Sequence, residues 1–130
     1  MFNFQYFAPT KVVFGKNTEE CVDFILAVGG GSVVDSAKAI GYDLANEGDV
    51  WDFYEHTRTA KACMPIGVIL TLAATGSEMS NASVITNEDG WKKRGYGSDY
   101  ARPVFSILNP ELTMTLPVYR TALRKPSCGP

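Results

Sequence analysis

The chain has 130 residues, of which 45% are hydrophobic and 20% are charged, and its formal net charge at pH 7 is −2. This length suits one globular domain with a single core and is too short for two ordinary domains. The weakly acidic balance argues against nucleic acid as a partner, because it offers no positive field to attract phosphates. The short basic run at residues 92–94 is interpreted as a solvated turn.

The three cysteines are widely spaced at Cys21, Cys63 and Cys128 and form no C-x-x-C pair. They indicate neither a disulfide framework nor a zinc knuckle, so we expect a reducing compartment, the cytoplasm. The sequence has no signal peptide pattern and no run long enough to span a membrane, so we expect no membrane partner. His56 is the only histidine. This excludes a mononuclear metal site that needs two or three histidines from one chain.

The first part of the chain predicts two strands. Residues 9–15 have the pattern of a short strand that ends in a glycine turn, and residues 16–20 begin a helix or a loop. Five apolar residues at 24–28 then predict a strand buried on both faces, as in a parallel sheet covered by helices. No helix-length crossover separates these two strands, so they are either antiparallel or not neighbours.

Three consecutive glycines at residues 29–31 end the second strand. Apolar residues at helical spacing follow, which predicts a helix from Ser32 to about Ala45 with Ser32 and Asp35 as a capping box. Glycines allow close approach of backbone N–H groups, and a helix N-terminus adds unsatisfied donors, so the turn predicts a phosphate site. A purely structural turn stays open, because the spacing lacks both the third glycine of the dinucleotide fingerprint and a Walker lysine.

A second strand-then-loop unit follows a connection at residues 46–61, within which residues 51–54 predict a short helix packed on the core. Residues 65–72 predict a buried strand, and the loop after it is rich in hydroxyls. These hydroxyls serve either the phosphate and ribose oxygens of a ligand or only the cap of a helix, since Thr75 and Glu78 form a capping-box pattern. The hydroxyl residues are Thr71, Thr75, Ser77 and Ser80.

The last third of the chain predicts a change of architecture. Residues 82–86 and the segment from Trp91 flank a strong turn signal, which predicts a β-hairpin. Residues 104–108 predict another short strand, and residues 115–117 the start of a helix. Residues 123–130 contain two prolines and a glycine and are interpreted as a frayed tail.

Three separated segments, residues 25–38, 70–79 and 105–112, closely resemble the iron-containing alcohol dehydrogenases, in particular their butanol dehydrogenase-like branch. The resemblance implies an α/β fold: a partial dinucleotide-binding, Rossmann-like domain with parallel strands and a β-hairpin. It places this domain at residues 1–122, with a deletion between residues 20 and 21 and a divergent tail at 123–130. The family's C-terminal helical domain, which holds a divalent metal, is then absent.

The resemblance also implies a binding site for an NAD or NADP dinucleotide. Within it, the glycine-rich loop cradles the pyrophosphate, and Asp35 and Lys38 lie on the helix behind this loop. Thr71, Thr75 and Ser80 match positions that contact the phosphate, ribose or nicotinamide side of the dinucleotide. Lys93 matches a lysine near the nicotinamide ribose, although by itself it is interpreted as a solvated hairpin cation. The residues implied are Gly30, Gly31, Ser32, Asp35, Thr71, Thr75, Ser80 and Lys93.

By the same resemblance, the function is that of an NAD(P)-dependent alcohol dehydrogenase, which interconverts a small primary alcohol and an aldehyde by hydride transfer. In the family, Fe²⁺ held by one aspartate and three histidines polarises the substrate oxygen. These ligands are missing here, so no catalytic or metal-binding residue is assigned. We expect a fragment that keeps mainly the pyrophosphate-binding part and does not turn over alone.

Two alternatives stay open for the function, a non-catalytic dinucleotide- or phosphate-binding module and an inactive remnant. The choice between NAD and NADP also stays open, because the segment that usually decides it is missing. By the resemblance, the deletion between residues 20 and 21 removes the family's first strand–helix–strand portion. Its loss should uncover part of a sheet, so we expect self-association.

Overall fold

The computed structural model describes residues 22–114. In chain order these residues form β1 (Ile25–Gly30), α1 (Gly31–Ala45), α2 (Trp51–Tyr54), β2 (Ile66–Leu72), β3 (Ala82–Asn87), β4 (Lys92–Gly97) and β5 (Phe105–Ile107). The predictions for residues 9–20, the junction between residues 20 and 21, the helix start at 115–117 and the tail at 123–130 lie outside the described residues.

Two sheets organise this part of the chain. The first is parallel, with the strand order β1-β2-β5, and pairs Ala27 with Val68. The second is the antiparallel hairpin of β3 and β4, in which Ser83 lies opposite Tyr96. The predicted α/β fold with parallel strands and a β-hairpin is therefore confirmed, as are the short helix at residues 51–54 and the strand at residues 65–72.

Helix α1 covers one face of the parallel sheet. Its buried Val34 and Ala37 pack on Ala27, Val68 and Leu70 of the strands. Beyond the sheet, α1 meets an aromatic cluster in which the ring centroids of Tyr42 and Tyr96 lie 5.3 Å apart in an edge-on arrangement. This cluster also contains Phe53 and Tyr54 of α2 and attaches the hairpin to the helix.

The opposite face of the parallel sheet is exposed. Leu26 and Val28 of β1 are 50% and 52% exposed, so the prediction of a strand buried on both faces is wrong. The physical reason is that α1 is the layer on one side and no element among residues 22–114 forms a second layer. We call the exposed apolar residues of this surface the open sheet face: Phe24, Leu26, Val28, Phe105 and Ile107.

The start of α1 also differs from the prediction. The helix begins at Gly31, its N-cap is Gly30, and no side chain caps it. The predicted capping box of Ser32 and Asp35 is wrong because the Asp35 carboxylate bonds elsewhere, to Ser77 and to the backbone N–H of Val84.

No helix follows Thr75, so the interpretation of the hydroxyls as a helix cap is also wrong. Gly76 takes a φ of +70°, which is incompatible with the first turn of a right-handed helix. The segment forms a loop instead, in which the backbone N–H of Ser80 donates to the Gly76 carbonyl at 3.1 Å. Within residues 22–114, no helix is both long and apolar enough to cross a membrane.

Candidate functional site

A cavity lies where β1 and β2 end, at the carboxyl edge of the parallel sheet. In open α/β sheets, ligands bind outside the carboxyl ends of the strands. We call it the α1 cavity, and its volume is about 360 Å³. Its lining consists of Gly31, Ser32, Asp35, Thr75, Ser77, Ser80, Ala82, Val84 and Lys93.

Six of the eight residues that the resemblance implied line this one cavity: Gly31, Ser32, Asp35, Thr75, Ser80 and Lys93. Gly30 directly precedes them as the N-cap of α1. Thr71 is not in the lining; it lies within β2, between Leu70 and Leu72. The fold thus joins the glycine turn, the hydroxyl loop and the hairpin lysine, which are far apart in the sequence.

The glycines allow the two loops to approach each other. A Cβ on Gly31 would overlap the hydroxyl oxygen of Thr75, and a Cβ on Gly30 would lie 3.3 Å from Cβ of Leu72. No side chain caps the N-terminus of α1, and its first turn holds no acidic residue. Its unsatisfied N–H groups and partial positive charge suit an anion at this end of the cavity.

Asp35 lies on the wall of the α1 cavity and bonds to two other elements. The Ser77 hydroxyl donates to Oδ1, and the backbone N–H of Val84 donates to Oδ2 at 3.0 Å. Both carboxylate oxygens are therefore hydrogen-bonded. This ties α1 to the loop after β2 and to the hairpin, and it makes the carboxylate a part of the cavity frame.

Lys38 lies one turn further along α1 and is fully buried. Its Nζ donates to the carbonyl oxygens of Ser77, Ser80 and Ala82, each at 2.8 Å. Burial lowers the pKa of this ammonium, whereas the nearby negative charge of Asp35 raises it. The lysine does not line the cavity but bonds to the loop that does.

Lys93 is exposed on β4, where it pairs with Thr86 of β3. Among the residues that the structure describes, its ammonium forms no salt bridge. Its place in the lining of the α1 cavity distinguishes it from its neighbour Lys92, which is equally exposed but is not part of the lining.

Sequence reasoning missed two lining residues, Ala82 and Val84. Ser77 was among the candidate hydroxyls of the loop, although the family resemblance did not imply it. Ala82 and Val84 lie on β3 and carry no polar side chain, so no local signal marks them. They reach the cavity only because the hairpin folds against α1.

The comparison with known families decides the classification. The family model for iron-containing alcohol dehydrogenases matches residues 16–110. The chain belongs to the iron-containing alcohol dehydrogenase family. This confirms the resemblance that three sequence segments carried.

Curated members of the iron-containing alcohol dehydrogenase family are similar to most of this chain. A probable NADH-dependent butanol dehydrogenase 2 from Bacillus subtilis is 50% identical over 114 residues, which cover 88% of this chain and 29% of that relative. NADH-dependent butanol dehydrogenase A from Clostridium acetobutylicum is 44% identical over 118 residues, covering 88% of this chain and 30% of that relative. The chain thus spans less than a third of the length of these relatives.

Solved structures of the iron-containing alcohol dehydrogenase family match the fold. NADH-dependent butanol dehydrogenase A from Thermotoga maritima superposes with a TM-score of 0.76 at 44% identity, covering 79% of this chain and 26% of that one. Sulfoacetaldehyde reductase from Bifidobacterium kashiwanohense, in complex with NAD⁺, gives a TM-score of 0.71 at 35% identity, covering 77% of this chain and 27% of that one.

Iron, which gives the family its name, does not fit the part of the chain that the structure describes. No group of three His, Cys, Asp or Glu side chains lies together within residues 22–114. His56 takes a φ of +58° on the surface, and its ring centroid lies 6.1 Å from that of Tyr96. These residues do not build a metal centre with several ligands.

Proposed function

We propose that this chain binds the pyrophosphate-bearing part of an NAD(H) or NADP(H) dinucleotide in the α1 cavity. The observation that carries the proposal is the lining itself, in which an uncapped helix N-terminus, hydroxyl groups and a lysine meet around one space. Relatives that are named as NADH-dependent and a related structure in complex with NAD⁺ support it.

Each part of the lining has a role in this proposal. The backbone N–H groups of Gly31 and Ser32 bind phosphate oxygens. A negative charge at an exposed helix N-terminus is stabilised by about 0.3–1 kcal/mol. The hydroxyls of Thr75 and Ser80 bind phosphate or ribose oxygens. Lys93 adds a positive charge at the hairpin side. Thr71 stays a proposed contact of the dinucleotide, although it lies outside this lining.

We further propose that the chain is one part of an NAD(P)-dependent alcohol dehydrogenase that interconverts a small alcohol and an aldehyde. When bound, the dinucleotide would supply hydride acceptance or donation. Residues 22–114 hold and orient it but offer no group of side chains that suits a metal Lewis acid. Turnover therefore requires a metal site from outside residues 22–114.

A second candidate function is a dinucleotide-binding module without catalysis. The same observation favours it, because the cavity lies entirely within residues 22–114, whereas no metal-ligand cluster does. An assay of alcohol-dependent NAD(P)⁺ reduction with added Fe²⁺ distinguishes the two. The 130-residue chain is expected to give no rate above background, and a metal-dependent rate would contradict the need for a metal site from outside it.

Isothermal titration calorimetry of the whole chain with NADH and NADPH tests dinucleotide binding. We expect a saturable binding curve for at least one of the two. Absence of heat at millimolar concentrations of both would reject the binding proposal and leave an inactive remnant.

We also propose that the open sheet face mediates self-association, with a second copy of the chain as its occupant. Five exposed apolar side chains on one side of a three-stranded sheet support this. Contiguous apolar patches of this kind are rare on monomers.

We also propose the reducing cytoplasm as the compartment of this protein, because the cysteine pattern favours it. Cell fractionation would test this proposal.

A further inference from the structure

We propose that Lys38 is a positioning residue for the α1 cavity. Its ammonium holds the loop of residues 77–82 in the shape that presents Ser80 to a bound dinucleotide. This inference rests on the proposed function, because it concerns the same cavity.

The contacts of Lys38 show that it acts through the loop. Its side chain is fully buried, and its Nζ lies 2.8 Å from the carbonyl oxygens of Ser77, Ser80 and Ala82 and 3.2 Å from the hydroxyl oxygen of Ser77. An ammonium has three donors, so the three shorter bonds to the carbonyls already use its donor capacity. No donor is left for a phosphate, and a direct role in binding the ligand is thereby excluded.

The three carbonyls explain why a lysine stands at this point of the helix. A buried charge is costly unless hydrogen bonds compensate it, and bonds to charged groups are stronger than neutral ones. The carbonyls come from one short segment that does not form a helix or strand before Ala82. This loop lacks the regular hydrogen bonds of a helix or strand. A single cation that donates to three of its carbonyl oxygens holds its backbone in place instead.

Asp35 completes the arrangement from the same side of α1. Three residues before Lys38, its carboxylate accepts from the Ser77 hydroxyl and from the Val84 N–H. The helix thus holds the loop by a cation that binds carbonyls and by an anion that binds donors. Six hydrogen bonds attach residues 77–84 to Asp35 and Lys38 of one helix.

If Lys38 had only a general role in the core, replacing it would lower the free energy of unfolding of every element alike. If Lys38 positions the loop, replacing it would change the loop of residues 77–82 more than the other elements. Lys38→Met keeps the unbranched stem but removes the charge and the donors, and Lys38→Arg keeps the charge and several donors. Lys61→Met is the matched control, because Lys61 is exposed and is not part of the lining of the α1 cavity.

The experiment measures amide hydrogen exchange and NADH affinity on the whole chain. For Lys38→Met we expect exchange at residues 77–84 to accelerate at least tenfold, with β1 and the aromatic cluster unchanged, and NADH to bind at least tenfold more weakly. Lys38→Arg should recover part of both losses, and Lys61→Met should change neither. If Lys38→Met does not fold, Lys38→Gln replaces it with the same expectations.

Unchanged NADH affinity in a folded Lys38→Met chain would overturn the proposal. So would exchange that accelerates equally in every element. If the unsubstituted chain binds no dinucleotide, the proposed function fails. The hydrogen-exchange comparison still decides the role of Lys38 in the loop, because it needs no ligand.

Discussion

Gly31 and Thr75 approach each other so closely that a single methyl group on Gly31 would overlap the Thr75 hydroxyl oxygen. Gly31 begins α1, and Thr75 lies in the loop after β2. This part of the lining of the α1 cavity therefore depends on the absence of a side chain at Gly31. This relationship is a direct target for substitution.

Gly31→Ala is expected to displace the Thr75 loop, lower the free energy of unfolding by about 1–3 kcal/mol and weaken NADH binding, because overpacking forces nearby atoms apart. Thermal unfolding and calorimetric titration measure the two effects. Gly95→Ala is the control, since a Cβ there would meet Val84 at an ordinary 3.6 Å. Equal effects of both substitutions would contradict a specific contact.

Lys93→Met is expected to weaken NADH binding about tenfold at low salt, because it removes a positive charge from the lining of the α1 cavity. The difference from the unsubstituted chain should shrink as ionic strength rises, since exposed charges are screened. Lys92→Met is the matched control on the adjacent exposed residue. If Lys92→Met weakened binding as much, the effect would come from general charge and not from the cavity.

Val28→Lys is expected to reduce self-association, because it places a charge on the open sheet face. Size-exclusion chromatography with light scattering should show assemblies larger than a monomer for the unsubstituted chain and a shift toward monomer for the variant. Ile40→Lys serves as the control, because Ile40 is equally exposed, at 52%, but lies on α1. A stable monomer before substitution would remove the proposal.

Tyr54→Phe is expected to make the chain more resistant to alkaline unfolding. Burial raises the pKa of Tyr54 from 10.0 to about 12, although its hydroxyl bonds to Ser83 at 2.7 Å. The unfolded chain ionises first, so this tyrosine's contribution is complete below pH 10 and is lost as pH rises toward 12. Urea unfolding from pH 8 to 12 should show a steeper loss for the unsubstituted chain than for Tyr54→Phe. Parallel pH curves would contradict the assignment.

Much of the fold was predictable from local patterns. Apolar runs, helical spacing and a strong turn signal located β1, β2, α1 and the hairpin, because these signals depend on neighbouring residues alone. The error over the exposed face of β1 has a different origin. A run such as Leu26 to Val28 reports that side chains are apolar, but whether they are covered depends on which other elements are present.

The candidate site was also predictable only where its signals are local in the sequence. The glycine turn and the hydroxyl loop were visible in the sequence, and the family resemblance added Lys93. Residue types also suggested that Asp35 caps its own helix, and that was wrong. Its actual partners, Ser77 and Val84, are more than 40 residues away, so only the folded chain brings them within bonding distance.

The rings of Phe24 and Phe105 stack with centroids 5.9 Å apart, above Gly67 of the central strand. A Cβ on Gly67 would strike both rings. The residue before β1 and the first residue of β5 therefore pack against each other across the middle strand, and only a glycine at residue 67 leaves room for this contact.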